Sequence, residues 1–141
     1  MDLVPVLTRL QTQLTGFKQV GSAADLDAIQ NSVAPTPSCY LVPMSESGED
    51  NALIGGYEQR LTVGFSVIVV SANKRDATGA AASAALEPLR KRIKAALVNW
   101  APEQDIGEPI RFASGSLLRF ADGQLWWADE YRVTTYERSD S

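Results

Sequence analysis

Residues 57–72 read Y-E-Q-R-L-T-V-G-F-S-V-I-V-V-S-A, and most of that run alternates. Tyr57, Leu61, Val63, Phe65, Val67 and Val69 fall on one side, and Glu58, Arg60, Thr62 and Ser66 on the other. Successive side chains of a strand point to opposite faces, so this period of two predicts a long strand with one face in a core. Toward the end, Ile68 and Val70 make the second face apolar too. Two readings stay open: a central strand covered on both sides, or a strand whose outer face meets another subunit.

Upstream of that strand, Leu3, Leu7, Leu10 and Leu14 recur at helical spacing and predict a helix from about Asp2 to Leu14, with Pro5 in its first turn. Phe17 to Gly21 reads as a short extended stretch. Ser22 then opens a second helix, with Asp25 three residues on as a capping-box variant and Leu26 and Ile29 facing inward. Pro35 and Pro37 stop it. Ser38 to Met44 is nearly continuous in apolar and β-favouring residues and reads as a buried strand, which Pro43 should fray early. Ser45 to Gly56, rich in Ser, Gly, Glu and Asp, reads as a long polar loop and a candidate contact arm.

Downstream, Asn73 to Gly79 is a polar turn, and Leu86, Leu89, Ile93, Leu97 and Trp100 form the stripe of the principal helix, opposite Arg90, Lys91 and Lys94. Pro88 inside the stripe predicts a kink or a start near Ala85, because an interior proline costs about 3 kcal/mol. Two apolar runs follow, Ile110 to Phe120 and Leu125 to Tyr136, joined through Asp122-Gly123 as a tight hairpin. The elements together predict an α+β fold, a mostly antiparallel four- to five-stranded sheet with helices packed on one face.

At 141 residues with 45% hydrophobic side chains, the chain can fill one core but not two, so a single domain over residues 1–141 is expected. The net charge of -4 argues against a protein that grips phosphates. The single cysteine, Cys39, allows no internal disulfide. No apolar run reaches the roughly 20 residues a bilayer requires, and residues 1–10, MDLVPVLTRL, lack the features of a signal peptide. These features predict a soluble protein of a reducing cytosol, with no membrane partner.

Histidine is absent, which removes Ser-His-Asp and Cys-His dyads and His-containing zinc sites. No phosphate-binding glycine motif is present, and Gly55, Gly56 and Gly115 read as turn glycines. Acid-base or metal chemistry would have to come from carboxylates: Glu46, Glu49 and Asp50; Glu103, Asp105 and Glu108; Asp129 and Glu130. None has a recognised calcium or glycosidase spacing, so all read as solvated loop charge. The basic clusters Lys74-Arg75 and Arg90-Lys91-Arg92 lack interleaved aromatics and read as solvated faces or protein contacts. No catalytic, cofactor-binding or metal residue is assigned.

Trp126 and Trp127 are adjacent on a strand, so their rings point to opposite faces and only one can enter the principal core. The other needs a cover, either a loop of the same chain or a neighbouring subunit. Candidate interface residues are Glu46, Glu49, Asp50, Arg60, Lys74, Arg75, Trp126 and Trp127.

The order of segments also resembles a known family. T-R-L in the opening helix, V-G-S-A-A-D-L at 20–26, P-S-C-Y-L-V-P at 37–43 and Y-E-Q-R-L-T-V-G-F-S-V-I-V-V at 57–70 resemble the tail terminator proteins of long-tailed phages, including Mu-like siphophages and myophages. D-A-T-G-A at 76–80, L-R-K-R-I-K-A-A-L-V-N-W-A-P at 89–102 and the hairpin G-S-L-L-R-F-A-D-G-Q-L-W-W-A-D-E-Y-R-V-T-T-Y at 115–136 continue the likeness over nearly the whole chain. One departure is Asn99, where similar sequences often carry glycine before the helix-end tryptophan.

The resemblance implies a virion structural protein without enzymatic activity or cofactor. It implies a hexameric ring on the head-proximal end of the tail tube, with tail-tube protein and head-tail connector proteins as partners and genomic DNA passing through the lumen. The alternatives are another connector or tail-tube protein, and a small carboxylate-dependent enzyme or ligand-binding module.

Overall fold

The computed structural model describes residues 1–29, 32–50, 58–72, 80–104 and 107–138. Three helices and five strands follow in the order α1 (Val4–Gln13), β1 (Gln19–Ser22), α2 (Ala23–Ile29), β2 (Ser38–Gly48), β3 (Glu58–Ala72), α3 (Ala80–Leu97), β4 (Arg111–Ala121) and β5 (Gln124–Arg138). The strands form one sheet in the order β1-β2-β3-β5-β4. β1 pairs with β2 in parallel, and every other pairing is antiparallel. The parallel pair needs a crossover connection; α2 and the residues leading to β2 provide it. The fold is α+β, as the sequence predicts.

β3 is the middle strand and pairs along its whole length with β5, from Glu58 opposite Arg138 to Ala72 opposite Gln124. Its odd-numbered side chains, Leu61 to Val69, are buried, and from Val63 on they pack with Tyr131, Val133, Cys39 and Leu41 under α1 and α3, where Val6, Leu10, Leu86, Ile93 and Leu97 complete the principal core. The other face is apolar at one end only. There Val70, Tyr40, Trp126 and Ala34 form a second cluster, with Ile68, Leu26 and Ile29 packed against it. Val70 is covered by the chain's own second cluster, and Ile68 is covered by it in part. Helices α1 and α3 share one face as expected, and the short α2 folds over the end of the other.

Local chemistry accounts for the element boundaries. The Ser22 backbone N–H and hydroxyl both donate to Asp25 Oδ2, at 2.8 and 3.2 Å, so the capping variant is made. Asp122 and Gly123 both take positive φ, 55° and 72°, the geometry of a two-residue hairpin turn. Asn99 sits at φ 68° just after α3 and donates its backbone N–H to Ile110 O at 2.9 Å, so asparagine fills the left-handed cap that glycine would otherwise take.

Three expectations need correction. β2 does not fray at Pro43: it continues to Gly48 through a register shift between Pro43 and Ser45, and Ser45–Gly48 pair with Gly64–Leu61. Proline is tolerated there because a bulge needs no regular ladder donor. The first part of the supposed polar loop is therefore strand; residues 51–57 lie outside the described residues. Helix α3 begins at Ala80, not near Ala85, and runs through Pro88. Pro88 and Ala84, whose carbonyl loses its donor, are both exposed, so water can take the bond. The turn at 73–79, with Lys74 and Arg75, also lies outside the described residues.

Candidate assembly surface

From its sequence context Asp129 reads as solvated charge, and the structure corrects this. It lies on β5 opposite Val67, on the face under α3, and is fully buried. Arg90 of α3 reaches it with two hydrogen bonds, Nε to Oδ2 at 2.9 Å and Nη2 to Oδ1 at 2.8 Å. Trp127 Nε1 donates to Oδ1 at 2.9 Å, and the guanidinium lies 4.7 Å from the Trp127 ring centre. The bond to Asp129 raises the Arg90 pKa above its already high ordinary value. Arg90 is thus a part-buried anchor on a fully buried carboxylate, and its neighbour Arg92 donates to the Thr15 carbonyl beside α1. The basic cluster at 90–92 largely holds α3 to its own chain.

Gly115, read as a turn glycine, is instead mid-strand in β4, opposite Asp129. A Cβ there would sit 2.5 Å from Asp129 Oδ1, 2.9 Å from Trp127 Nε1 and 3.0 Å from Arg90 Nη2. The position is glycine because the ion pair occupies the space a side chain would need.

Trp126 and Trp127 do point to opposite faces. Trp126 is 4% exposed in the second cluster, under Ala34, with Arg119 4.2 Å above its ring. Gln124 holds that cover in place: its amide accepts from Ala34 N at 3.1 Å and donates to Ala34 O at 2.7 Å. Trp127 is partly buried against the principal core. Trp126 finds its cover within the chain, and Trp127 keeps part of its surface exposed.

The acidic candidates are exposed. Glu46 accepts from the Met1 amino group at 3.1 Å, and Glu49 meets Arg60 at 3.4 Å, with Glu108 on the other side of Arg60 at 3.8 Å. Asp50 follows at the exposed end of the same segment. Exposed pairs of this kind contribute little to stability. A shallow cavity of about 180 Å³ gathers Glu46, Glu103 and Glu137, but Thr135 Oγ1 already donates to Glu103 at 2.8 Å. Among the described residues, no cluster of carboxylates and cysteine is placed to hold a metal ion.

The surface that sequence reading missed is β4. All of its residues are exposed, including Phe112, Leu117, Leu118 and Phe120, the two leucines by more than half. Phe112, Leu117 and Phe120 lie opposite Tyr131, Trp127 and Leu125, so they continue the helix-covered face outward past the helices. Lys94 Nζ caps Phe112 at 4.1 Å, and Arg111 and Arg119 stand on the opposite face. A free-standing domain seldom leaves an edge strand so long, apolar and bare.

The family model for the phage tail terminator protein matches residues 1–141. The chain belongs to the phage tail terminator family. That family is one of phage structural proteins and not of enzymes, so the chain has a structural role in a virion tail. The chain is also similar to a chain in the solved virion of a native gene transfer agent particle, at 16% identity and TM-score 0.46, covering 94% of this chain and 95% of that one. No curated protein matches the sequence. No helix of the described residues is long and apolar enough to cross a membrane.

Proposed function

We propose that the chain closes a phage tail. Copies of it, each a single domain, form a hexameric ring on the head-proximal end of the tail tube, stop further polymerisation and present the surface that head-tail connector proteins join. Family membership supports this, and the observation that carries it in the structure is the bare β4 strand, whose exposed Leu117, Leu118 and Phe120 suit a subunit that is completed by a neighbour.

Size is compatible with a DNA passage. A compact chain of this length has a diameter of about 37 Å, and six in contact leave a hole of about the same width, room for a duplex. The net charge of -4 suits a lumen that repels phosphates, so that genomic DNA passes without specific binding. Reversing the charge of acids that line the lumen should slow DNA ejection; unchanged ejection would remove that role.

The test of the terminator role is tube growth. Tail-tube protein polymerising in the presence of this chain should give tubes of limited length with a ring on one end in electron micrographs. Tubes that grow as long as without it, with bare ends, would contradict the proposal.

A further inference from the structure

A sheet has two edges, and in this one both are partly open. Among the described residues, no strand pairs with the outer side of β4, residues 111–121. At the other end of the sheet, β1 covers β2 only from Ser38 to Leu41, so among the described residues the outer side of Val42 to Gly48 is also unpaired. Each open edge presents backbone N–H and C=O groups that a strand of another chain can pair.

The two edges complement each other in charge. Residues 111–121 contain Arg111 and Arg119 and no acid, whereas residues 42–50 contain Glu46, Glu49 and Asp50 and no base; Glu49, just past the end of β2 beside Arg60, is on the same face as the two arginines, while Glu46 is on the α3 face. Pairing β4 with itself across a two-fold axis centred on Gly115 would instead set Arg111 opposite Arg119, a like-charge contact. Direction agrees as well. β2 and β5 run one way, β3 and β4 the other. If successive copies are related by rotation about an axis along the strands, directions are preserved, and β4 of one copy meets β2 of the next antiparallel.

Resting on the ring reading, we propose that the β4 edge of each subunit adds to the Val42–Gly48 edge of its neighbour, joining the sheets into one continuous belt. The contact is head-to-tail, the type that closes into rings. It pairs the two open edges and gives the exposed Leu117 and Leu118 of one copy and Met44 of the next an apolar neighbour.

Disulfide trapping tests this directly. Ser114 and Ser116 on β4 and Ser45 and Ser47 on β2 all lie on the face away from α3, by their registers with Glu130, Ala128, Gly64 and Thr62. Within one chain, β2 and β4 are three strand spacings apart, roughly 14 Å, too far for a disulfide, which needs Cα atoms within about 7 Å. Four double variants, pairing Ser114→Cys or Ser116→Cys with Ser45→Cys or Ser47→Cys, are oxidised on the assembled protein. A ladder of covalent multimers in at least one, absent from each single variant, is expected. Dimers from Ser114→Cys or Ser116→Cys alone would show β4 pairing with itself and overturn the proposal. No ladder in any variant, while light scattering still reports rings, would overturn the edge pairing and leave the ring standing. Subunits that stay monomeric even on tube ends would overturn both.

Discussion

Arg90 on α3 and Asp129 on β5 meet through two parallel hydrogen bonds of 2.9 and 2.8 Å, with the carboxylate fully buried and the Trp127 indole donating to it as well. Desolvation offsets much of the attraction in such a pair, but removing one partner strands the other charge. Arg90→Ala should therefore lower unfolding stability by about 3–5 kcal/mol. Arg90→Ala combined with Asp129→Ala should cost markedly less than the sum of the two single changes, a cycle of four proteins with the wild type. Urea denaturation of the four proteins checks this, and a loss below about 1 kcal/mol for Arg90→Ala would contradict the pair's role.

Gly115 depends on that pair. Because a Cβ would intrude on Asp129, Trp127 and Arg90 together, Gly115→Ala should cost on the order of 1–3 kcal/mol. The cost should shrink in an Asp129→Ala background, where the crowded carboxylate is gone. Thermal unfolding of both proteins reads the difference, and an equal cost in the two backgrounds would show that the ion pair is not what the methyl group meets.

Alkaline pH should weaken the fold. Burial pushes the Cys39 thiol up from 9.0 to about 12, and burial is also the main reason that Tyr40 and Tyr131 lie above their ordinary value of 10.0. Each group stays protonated in the fold at pH values where the unfolded chain releases its proton. Their contribution is intact below the unfolded values and is lost as pH rises through the folded ones. The melting temperature should hold to about pH 9 and fall from there toward pH 12, less steeply at first in Cys39→Ala. A melting temperature unchanged up to pH 11 would contradict the burial of these groups.

Stability and assembly should separate between the tryptophans and β4. Trp126→Ala, which empties the second cluster, should cost the monomer about 3–5 kcal/mol, and Trp127→Ala should also destabilise it. Leu117→Ser with Leu118→Ser should leave unfolding within about 0.5 kcal/mol for each change, yet reduce the assembled fraction. The comparison needs denaturation curves and sedimentation on the same samples. Full assembly of the double leucine variant would remove β4 from the interface.

Most of the fold was legible because its signals are local. The alternation of Leu61 to Val69, the leucines of α1, the Ser22–Asp25 cap and the Asp122-Gly123 turn each identify their own element. What stayed hidden depends on partners distant in sequence. Asp129 looks like any surface acid until β5 places it under Arg90, and Gly115 looks like a turn residue until it pairs opposite Asp129. Leu117 and Leu118 look like core residues until the strand order sets β4 at the edge. Pro43 misled for the opposite reason: a local rule predicted a strand end, and a bulge absorbed the proline.

The most direct measurement is the mass of the protein in solution, by light scattering, with and without tail-tube protein. The account predicts a hexamer, free or captured on tube ends. A monomer that ignores tube ends and leaves their growth unchanged would contradict it.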